Sequence, residues 1–320
     1  MTSDTQAAVN LKGRDFLTIA ECSEEEIQTI LDTAVDLKKK QKQGIPHHDL
    51  EGQTLAMIFE KSSTRTRVAF EVGMYQLGGS ALYLSSRDIQ LGRGETIADT
   101  AKVLSRFVDA IMIRTFAHAG VEELAANADV PVINGLTDMH HPTQVMADLL
   151  TILEHKGHLR GLKACFIGDG YNNMAHSLLE GAAAVGMDLT VSSPNGYEPD
   201  GGILAAAEAR ATKNGCKVGF TTSPEEAVQG CDLVITDTWT SMGEEAEAEK
   251  RLAAFQGYQI DAKLVKLAKP DYLFMHCLPA HRGEEVAPEI IDGAHSIVFD
   301  EAENRLHAHK AILKCLLDKN

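Results

Sequence analysis

The chain has 320 residues, of which 44% are hydrophobic, and a formal net charge of −16. A single hydrophobic core rarely extends over such a length, so we expect two domains. The acidic balance argues against nucleic acid as a partner, because phosphate backbones are bound by basic surfaces. No apolar run approaches the ~20 residues that span a bilayer, and the first ten residues lack the apolar segment of an export signal. We therefore expect a cytoplasmic protein that does not bind membranes.

The cysteine and histidine spacings give no sign of a metal site. The six cysteines form no C-x-x-C pair, and the thirteen histidines show no H-E-x-x-H spacing. These spacings therefore give no indication of a disulfide framework or a zinc site. We expect reduced thiols, no metal and no cofactor.

Strand-like and helix-like segments alternate from Gln53 to the C-terminus. Short apolar runs predict strands at 54–59, 81–84, 110–113, 130–133, 164–167, 189–192, 218–221, 233–236, 272–275 and 296–299. Stretches of helical pattern predict helices that include 68–74, 96–107, 121–128, 142–155 and 304–317. Such alternation predicts an α/β protein whose parallel sheets are covered by helices on both sides.

The first predicted strand is followed by a cluster of hydroxyl and arginine side chains, Ser63-Thr64-Arg65-Thr66. The cluster falls where a strand ends and a helix begins. Unpaired backbone N–H groups at a helix N-terminus attract oxyanions, and the planar fork of arginine matches phosphate. The alternative is an ordinary helix cap with a solvated basic face.

Other polar residues also follow predicted strands. Arg114 follows 110–113, Asp237 follows 233–236, and His276-Cys277 follows 272–275, while His141 precedes a helix that starts with Pro142. Ligands of open α/β sheets bind at the carboxyl ends of the strands. The turn Gly168-Asp169-Gly170 lacks the complete G-x-G-x-x-G fingerprint, which argues against a nicotinamide-dependent dehydrogenase.

Five motifs occur together along the chain, in this order: Ser63-Thr64-Arg65-Thr66; Arg114; His141-Pro142-Thr143-Gln144; Asp237 with Ser241-Met242-Gly243; and His276-Cys277-Leu278-Pro279. In order and spacing, from about residue 10 to the C-terminus, the chain resembles the aspartate/ornithine carbamoyltransferases, and among them those that act on ornithine. The resemblance implies two parallel-sheet α/β domains with a cleft between them and a C-terminal helix that returns to the first domain. Residues 1–144, with 305–320, would bind carbamoyl phosphate, and residues 145–304 would bind ornithine. It also implies a homotrimer, or a multiple of trimers, with active sites shared between subunits.

The resemblance further implies a reaction, in which the carbamoyl group of carbamoyl phosphate passes to the side-chain amine of L-ornithine, giving L-citrulline and phosphate. Arg114 and His141 would polarise the carbonyl oxygen, and the Cys277 thiolate with Asp237 would help take the proton from the amine. Gln144 would hold the carbamoyl NH2, and Gln90 matches a loop that enters a neighbouring subunit's site. The residues implied to bind carbamoyl phosphate are Ser63, Thr64, Arg65, Thr66, Gln90, Arg114, His141, Gln144, Cys277, Leu278 and Arg305. Those implied to bind ornithine are Asn173, Asp237, Ser241 and Met242.

Three other functions remain open on the same fold. An aspartate carbamoyltransferase should carry Arg and Lys around its second substrate, where this chain offers Asp237 and Ser241-Met242-Gly243. A putrescine carbamoyltransferase would not need groups that recognise a carboxylate. A non-catalytic regulator that binds amino acids or phosphate would not require His141 or Cys277.

Overall fold

The computed structural model describes residues 9–90, 94–241, 243 and 245–318. Its first sheet consists of β1 (Thr54–Phe59), β2 (Ser80–Ser85), β3 (Ala110–Arg114) and β4 (Val132–Leu136), in the order β2-β1-β3-β4. Its second sheet consists of β5 (Lys163–Ile167), β6 (Asp188–Ser192), β7 (Val218–Thr221), β8 (Leu233–Thr236) and β9 (Leu273–His276), in the order β7-β6-β5-β8-β9. All pairings within these sheets are parallel. The predicted α/β class with two parallel sheets is confirmed.

Helices connect the strands and cover the sheets. They are α1 (Glu24–Lys42), α2 (Thr64–Gln76), α3 (Ile97–Leu104), α4 (His118–Asn127), α5 (Pro142–Lys156), α6 (Asn173–Val185), α7 (Gly201–Asn214), α8 (Pro224–Val228), α9 (Ala248–Ala254), α10 (Pro288–Ile291) and α11 (Val298–Leu317), with 3-10 turns at Glu245–Glu247 and Leu264–Leu267. The last helix, α11, packs against α1, α2 and α5, so the chain returns to its first domain as expected. Among the residues described, no helix is both long enough and apolar enough to cross a membrane.

The predicted strand 296–299 is wrong. Ser296 makes only an isolated bridge to Phe274, and α11 begins at Val298 rather than at Asn304. Ile297 and Val298 are buried, and a short buried apolar run reads alike in a strand and in a helix. Asp300 and Glu301 lie in the first turn of α11, where the helix dipole favours acidic side chains.

Other parts of the sequence prediction also differ from the structure. Strand β4 begins at Val132 rather than at residue 130, and the Val132 N–H donates to Asp15 Oδ1 at 2.8 Å. Helix α1 was not predicted, although Ser23 and Glu26 form a capping box at its N-terminus.

A buried lysine links three helices of the first domain. Lys310 of α11 is fully buried, and its Nζ lies 2.8 Å from Gln76 Oε1, 3.1 Å from His47 Nε2 and 3.5 Å from Gln41 Oε1. These partners are uncharged, so they only partly replace the water that the ammonium loses. Burial lowers the pKa of Lys310 from 10.5 to about 8.

This shift predicts a pH-dependent difference in stability between the wild type and Lys310→Met. Between pH 8 and 10.5 the unfolded chain keeps a proton that folded Lys310 has lost, so the free energy of unfolding rises with pH in that window. Relative to the variant, the wild type should gain about 3 kcal/mol across the window. Urea unfolding from pH 7 to 10.5 measures the free energy of unfolding of both proteins. Lys39→Met, on the exposed side of α1, is the control for losing a lysine. Parallel curves for the wild type and Lys310→Met would contradict this prediction.

Candidate functional site

A cavity of about 590 Å³ opens at the carboxyl ends of strands from both sheets. It is lined by Lys61, Ser62, Ser63, Thr64, Arg65, Thr66, Arg67, Tyr83, Arg114, Leu136, His141, Gln144, Asn173, Met174, Asp237, Thr238, Ser241, Cys277, Leu278, Pro279 and Arg305. Thus the structure brings together nearly all of the residues that the sequence singled out. Gln90 is exposed and does not line this cavity, and Met242 lies outside the described residues.

One end of the cavity is formed by the N-terminus of α2. Ser63 is the N-cap residue, and its Oγ accepts a hydrogen bond from the Thr66 N–H at 3.2 Å. Thr64 and Arg65 occupy the first turn, which contains no acidic residue. The positive end of the helix dipole therefore faces the cavity together with hydroxyl and guanidinium donors, an arrangement suited to an oxyanion.

Two buried arginines reinforce this end. Arg114 at the end of β3 and Arg305 of α11 are 7% and 3% exposed. Burial lowers the pKa of Arg114 to about 9, and the positive charges of Arg305 and Arg65 add to the effect. Burial likewise lowers the pKa of Arg305 to about 10. Crowded cations in a chain of net charge −16 indicate a local site for an anion, whose binding would relieve their repulsion.

Arg305 is held in place by three neighbouring side chains. Its Nη1 donates to Gln144 Oε1 at 2.5 Å, its Nη2 to Thr66 Oγ1 at 2.9 Å and its Nε to His309 Nε2 at 3.3 Å. These contacts connect α11 with α5 and with the anion-binding turn of α2. The return of α11 to the first domain is what brings Arg305 to the cavity.

His141 lies at the start of α5, between the two domains. Its backbone N–H donates to Ser177 Oγ of α6 at 2.8 Å, and its side chain is buried. Burial, followed by the nearby charges of Arg305 and Arg114, lowers the pKa of His141 well below its ordinary value. The imidazole is therefore neutral at physiological pH and can donate a hydrogen bond without carrying charge.

The segments that follow β8 and β9 contribute a carboxylate and a thiol to the cavity. Asp237 Oδ1 accepts hydrogen bonds from Cys277 Sγ at 3.2 Å and from the Thr238 N–H at 2.8 Å. Burial raises the pKa of Asp237, and burial together with the charge of Asp237 raises the pKa of Cys277 well above its ordinary value. In this structure Cys277 is a thiol that donates to Asp237, and the implied role of its thiolate in taking a proton from the amine stays a prediction.

The Cys277 side chain also belongs to a group of potential metal ligands. Asp237, His276 and Cys277 present ligand atoms within 4.8 Å of one another. However, His276 Nδ1 accepts from the Leu278 N–H at 2.9 Å, so its Nε2 carries the proton and lies 3.1 Å from Glu285 Oε1. Both ring nitrogens are thus engaged, and His276 positions the turn rather than offering a lone pair to a cation.

The cavity also contains side chains to which the sequence assigned no role. Lys61 forms an ion pair with Asp138 and lies 4.5 Å from the centroid of the Phe116 ring. Arg67 stacks on Tyr83, with its guanidinium carbon 3.8 Å from the ring centroid. Lys61 and Arg67 flank the hydroxyl cluster in the sequence, which was a usable signal, whereas their aromatic partners come from other segments. Arg67 also pairs with Glu71, one turn further along α2, at 2.9 Å.

Two buried acids behind the cavity were also missed. Gln144 Nε2 donates to Asp148 Oδ1 at 2.8 Å and to Glu301 Oε1 at 3.1 Å. Asp148 follows Gln144 by one helical turn, a spacing that is visible in the sequence. Glu301 could not be found in this way, because it lies between the predicted strand 296–299 and the predicted helix that starts at 304.

The Gly168-Asp169-Gly170 turn has a structural use. Asp169 Oδ2 pairs with Arg251 Nη1 of α9 at 2.5 Å, and the same nitrogen donates to the Trp239 carbonyl at 3.1 Å. This buried pair attaches α9 and the segment after β8 to the turn that follows β5. The Asp169 carboxylate is thereby engaged by another part of the protein.

Comparison with known proteins agrees with this geometry. Residues 14–154 match the family model described as the carbamoyl-P binding domain of aspartate/ornithine carbamoyltransferase, and residues 160–316 match its Asp/Orn binding domain. The chain therefore belongs to the aspartate/ornithine carbamoyltransferase family.

Individual relatives are similar over almost their whole length. An ornithine carbamoyltransferase of Carboxydothermus hydrogenoformans is 60% identical over 306 residues, which cover 96% of this chain and 98% of that protein. One from Bacillus subtilis is 59% identical over 315 residues, covering 98% and 97%. The solved structure of ornithine carbamoyltransferase from Pyrococcus furiosus is 55% identical and superposes with a TM-score of 0.95, covering 98% of this chain and 99% of that one.

Proposed function

We propose that this chain transfers the carbamoyl group of carbamoyl phosphate to the side-chain amine of L-ornithine, producing L-citrulline and phosphate. The observation that carries the proposal is a cavity lined by two chemically different groups of residues. Arg65, Arg114 and Arg305 gather near the α2 N-terminus, and Asp237 lies beside Cys277. An anionic donor and an amine acceptor can meet in such a cavity.

In this proposal the donor binds at the α2 end. Ser63, Thr64, Arg65 and Thr66 hold the phosphate, and Arg305 adds a charge to the same group. The carbonyl oxygen lies near Arg114 and neutral His141, which stabilise the oxyanion as the amine attacks. The carbamoyl NH2 donates to Gln144 Oε1 and to the backbone carbonyls of Cys277 and Leu278.

The acceptor substrate, ornithine, binds beside Asp237. Asp237 accepts hydrogen bonds from the α-ammonium of ornithine, while Asn173, Ser241 and the backbone at Met242 bind its carboxylate. An aliphatic amine has an ordinary pKa near ~10.4, so only its minor neutral form attacks at pH 7. As the new C–N bond forms and the C–O bond to phosphate breaks, the proton leaves the amine with the help of Asp237 and is taken up by the departing phosphate.

Two alternatives are less compatible with the cavity. Among the lining residues contributed by residues 145–304, as far as the structure describes them, there is no Lys or Arg. An aspartate acceptor would leave its second carboxylate without a cation there. A putrescine acceptor would leave the donors that face the amino-acid carboxylate unpaired, which costs affinity.

The test is citrulline or ureido-product formation from carbamoyl phosphate with four acceptors, namely ornithine, aspartate, putrescine and N-acetylornithine. Turnover with ornithine should exceed turnover with each of the others by at least ~100-fold, because a site built for polar groups rejects analogues that lack or block them. Comparable or faster turnover with any other acceptor would refute the assigned substrate.

The exchange of Cys277 for serine or alanine tests its role as a donor. Serine keeps a donor for Asp237, so Cys277→Ser should lose less than ~10-fold in kcat and keep its pH optimum, whereas Cys277→Ala should lose about tenfold more. The affinity for carbamoyl phosphate should stay within about threefold in both, because the backbone carbonyls remain. An upward shift of the pH optimum in Cys277→Ser would instead indicate that a thiolate acts as the base.

The proposed assembly is a homotrimer or a multiple of trimers, in which Gln90 completes the site of a neighbouring subunit. It is supported by the exposure of Gln90 and of Leu82 and Tyr83 on β2, the edge strand of the first sheet. The division into residues 1–144 with 305–320 and residues 145–304, and the cytoplasmic location, stay predictions. Sedimentation equilibrium should give a mass that is a multiple of three times 34.7 kDa, and a monomer or dimer would refute the assembly.

A further inference from the structure

Behind the cavity, Asp148 of α5 and Glu301 of α11 form a buried pair of carboxyl groups. Each is 2% exposed, and both accept a hydrogen bond from the same nitrogen, Gln144 Nε2. Asp148 Oδ2 is buried and finds no hydrogen-bond partner among the described residues. Two carboxylates so close together in a buried site cannot both be charged, so the pair shares a proton.

Both acids accept hydrogen bonds from the amide NH2 of the Gln144 side chain. Gln144 Nε2 donates to Asp148 Oδ1 at 2.8 Å and to Glu301 Oε1 at 3.1 Å, while Gln144 Oε1 accepts from Arg305 Nη1 at 2.5 Å. Turning the amide over would place its oxygen against two acceptors and its NH2 against a guanidinium. Both new contacts would be repulsive, so the acid pair leaves Gln144 a single orientation.

Glu301 extends this support into the second domain. Its Oε2 accepts the backbone N–H of His276 at 3.0 Å, immediately before Cys277. The group that orients Gln144 is therefore fixed to the segment that carries Cys277 and Leu278. Gln144 Oε1 and the backbone carbonyls of Cys277 and Leu278, which face carbamoyl phosphate in the proposal, are therefore held in one arrangement by α5, α11 and the end of β9.

We propose that Asp148 and Glu301 are positioning residues that keep the Gln144 oxygen directed toward the donor site, and that this orientation selects an acyl phosphate bearing N–H groups over one bearing a methyl group. The inference rests on the proposed function, in which Gln144 Oε1 accepts from the NH2 of carbamoyl phosphate. Acetyl phosphate is the matched analogue, because a methyl group replaces the NH2. A fixed acceptor facing a methyl group loses its hydrogen bond, so a site built for N–H discriminates strongly.

The variants Asp148→Asn and Glu301→Gln test the proposal. Each introduces an NH2 group beside Gln144, which allows the amide to turn over. We expect kcat/KM for carbamoyl phosphate to fall about 10- to 100-fold, while the inhibition constant of acetyl phosphate changes by less than about threefold. Equal losses for the two acyl phosphates would mean a general structural defect and would overturn the proposal.

Two controls separate positioning from packing. Thr151→Val alters the same α5–α11 interface, where Thr151 Oγ1 accepts from Asn304 Nδ2 at 2.9 Å, but does not touch Gln144. Its discrimination between the two acyl phosphates should match that of the wild type. In a Gln144→Ala background, adding Asp148→Asn should cause no further change in discrimination, and a further change would show that Asp148 does not act through Gln144.

The wild type provides a test that does not depend on the variants folding. Calorimetry should show carbamoyl phosphate binding at least ~30-fold more tightly than acetyl phosphate, and equal affinities would overturn the proposal. Failure of the wild type to form citrulline would refute the proposed function itself. Normal citrulline formation with unchanged discrimination in both acid variants would refute only the positioning role.

Discussion

Replacing Arg114 with alanine is expected to lower kcat/KM for carbamoyl phosphate by about 10²- to 10³-fold, the usual loss when one oxyanion donor is removed. Arg114 is buried at the end of β3, and its Nε finds no hydrogen-bond partner among the described residues. No carboxylate of the described part of the chain pairs with it, so its charge is available to a ligand. Because Arg114 is a buried cation beside Arg305 and Arg65, the variant should fold at least as stably as the wild type.

The measurement is steady-state kinetics with saturating ornithine, accompanied by thermal unfolding. Arg106→Ala, which removes an exposed arginine outside the cavity, is the matched control and should keep kcat/KM within about threefold. A near-normal kcat/KM in a folded Arg114→Ala protein would remove Arg114 from the proposed oxyanion site.

Asp237→Asn is expected to lower kcat/KM for ornithine by about 10²- to 10³-fold while the KM for carbamoyl phosphate changes little. Asn keeps the shape of the side chain but loses the charge that accepts from an amine. A charged hydrogen bond in a desolvated site is worth about 3–4 kcal/mol when one partner is lost. Since Asp237 follows β8, whereas the phosphate is proposed to bind at the α2 N-terminus, binding of carbamoyl phosphate should change little.

The control for this variant lies at the other end of the same strand. Asp232 precedes β8 and accepts from the Lys163 N–H at 3.0 Å and from Lys269 Nζ at 2.8 Å, away from the cavity. Asp232→Asn should leave both KM values within about threefold of the wild type, whatever its effect on stability. If Asp237→Asn instead lost carbamoyl phosphate binding, Asp237 would belong to the carbamoyl phosphate site.

Much of the fold was predictable because its strands are short apolar runs that precede polar residues. In a parallel sheet the carboxyl ends of the strands meet at one edge, so Arg114, Asp237 and Cys277 could be expected to lie together. The failures arise where the same local pattern suits two structures. The run at 296–299 is buried in either conformation, and only its packing beside β9 decides that α11 starts there.

The protonation of the site was not accessible from sequence. A cysteine after a strand can be a thiolate or a thiol, and burial beside Asp237 decides for the thiol. The Asp148–Glu301 pair could not be predicted either, because it too depends on tertiary packing. Asp148 and Glu301 are far apart in the chain and meet only because α11 returns to pack on α5.

The central claim is that both substrates react directly in one cavity, and isotope transfer tests it most directly. The protein is incubated with carbamoyl phosphate labelled with 13C at its carbonyl and with ornithine labelled with 15N at its side-chain nitrogen. The account predicts citrulline with a one-bond 13C–15N coupling, formed in step with phosphate release and formed at least ~100-fold more slowly when Arg114→Ala replaces the wild type at the same concentration. Release of 13C as bicarbonate, with phosphate but without coupled citrulline, would contradict it.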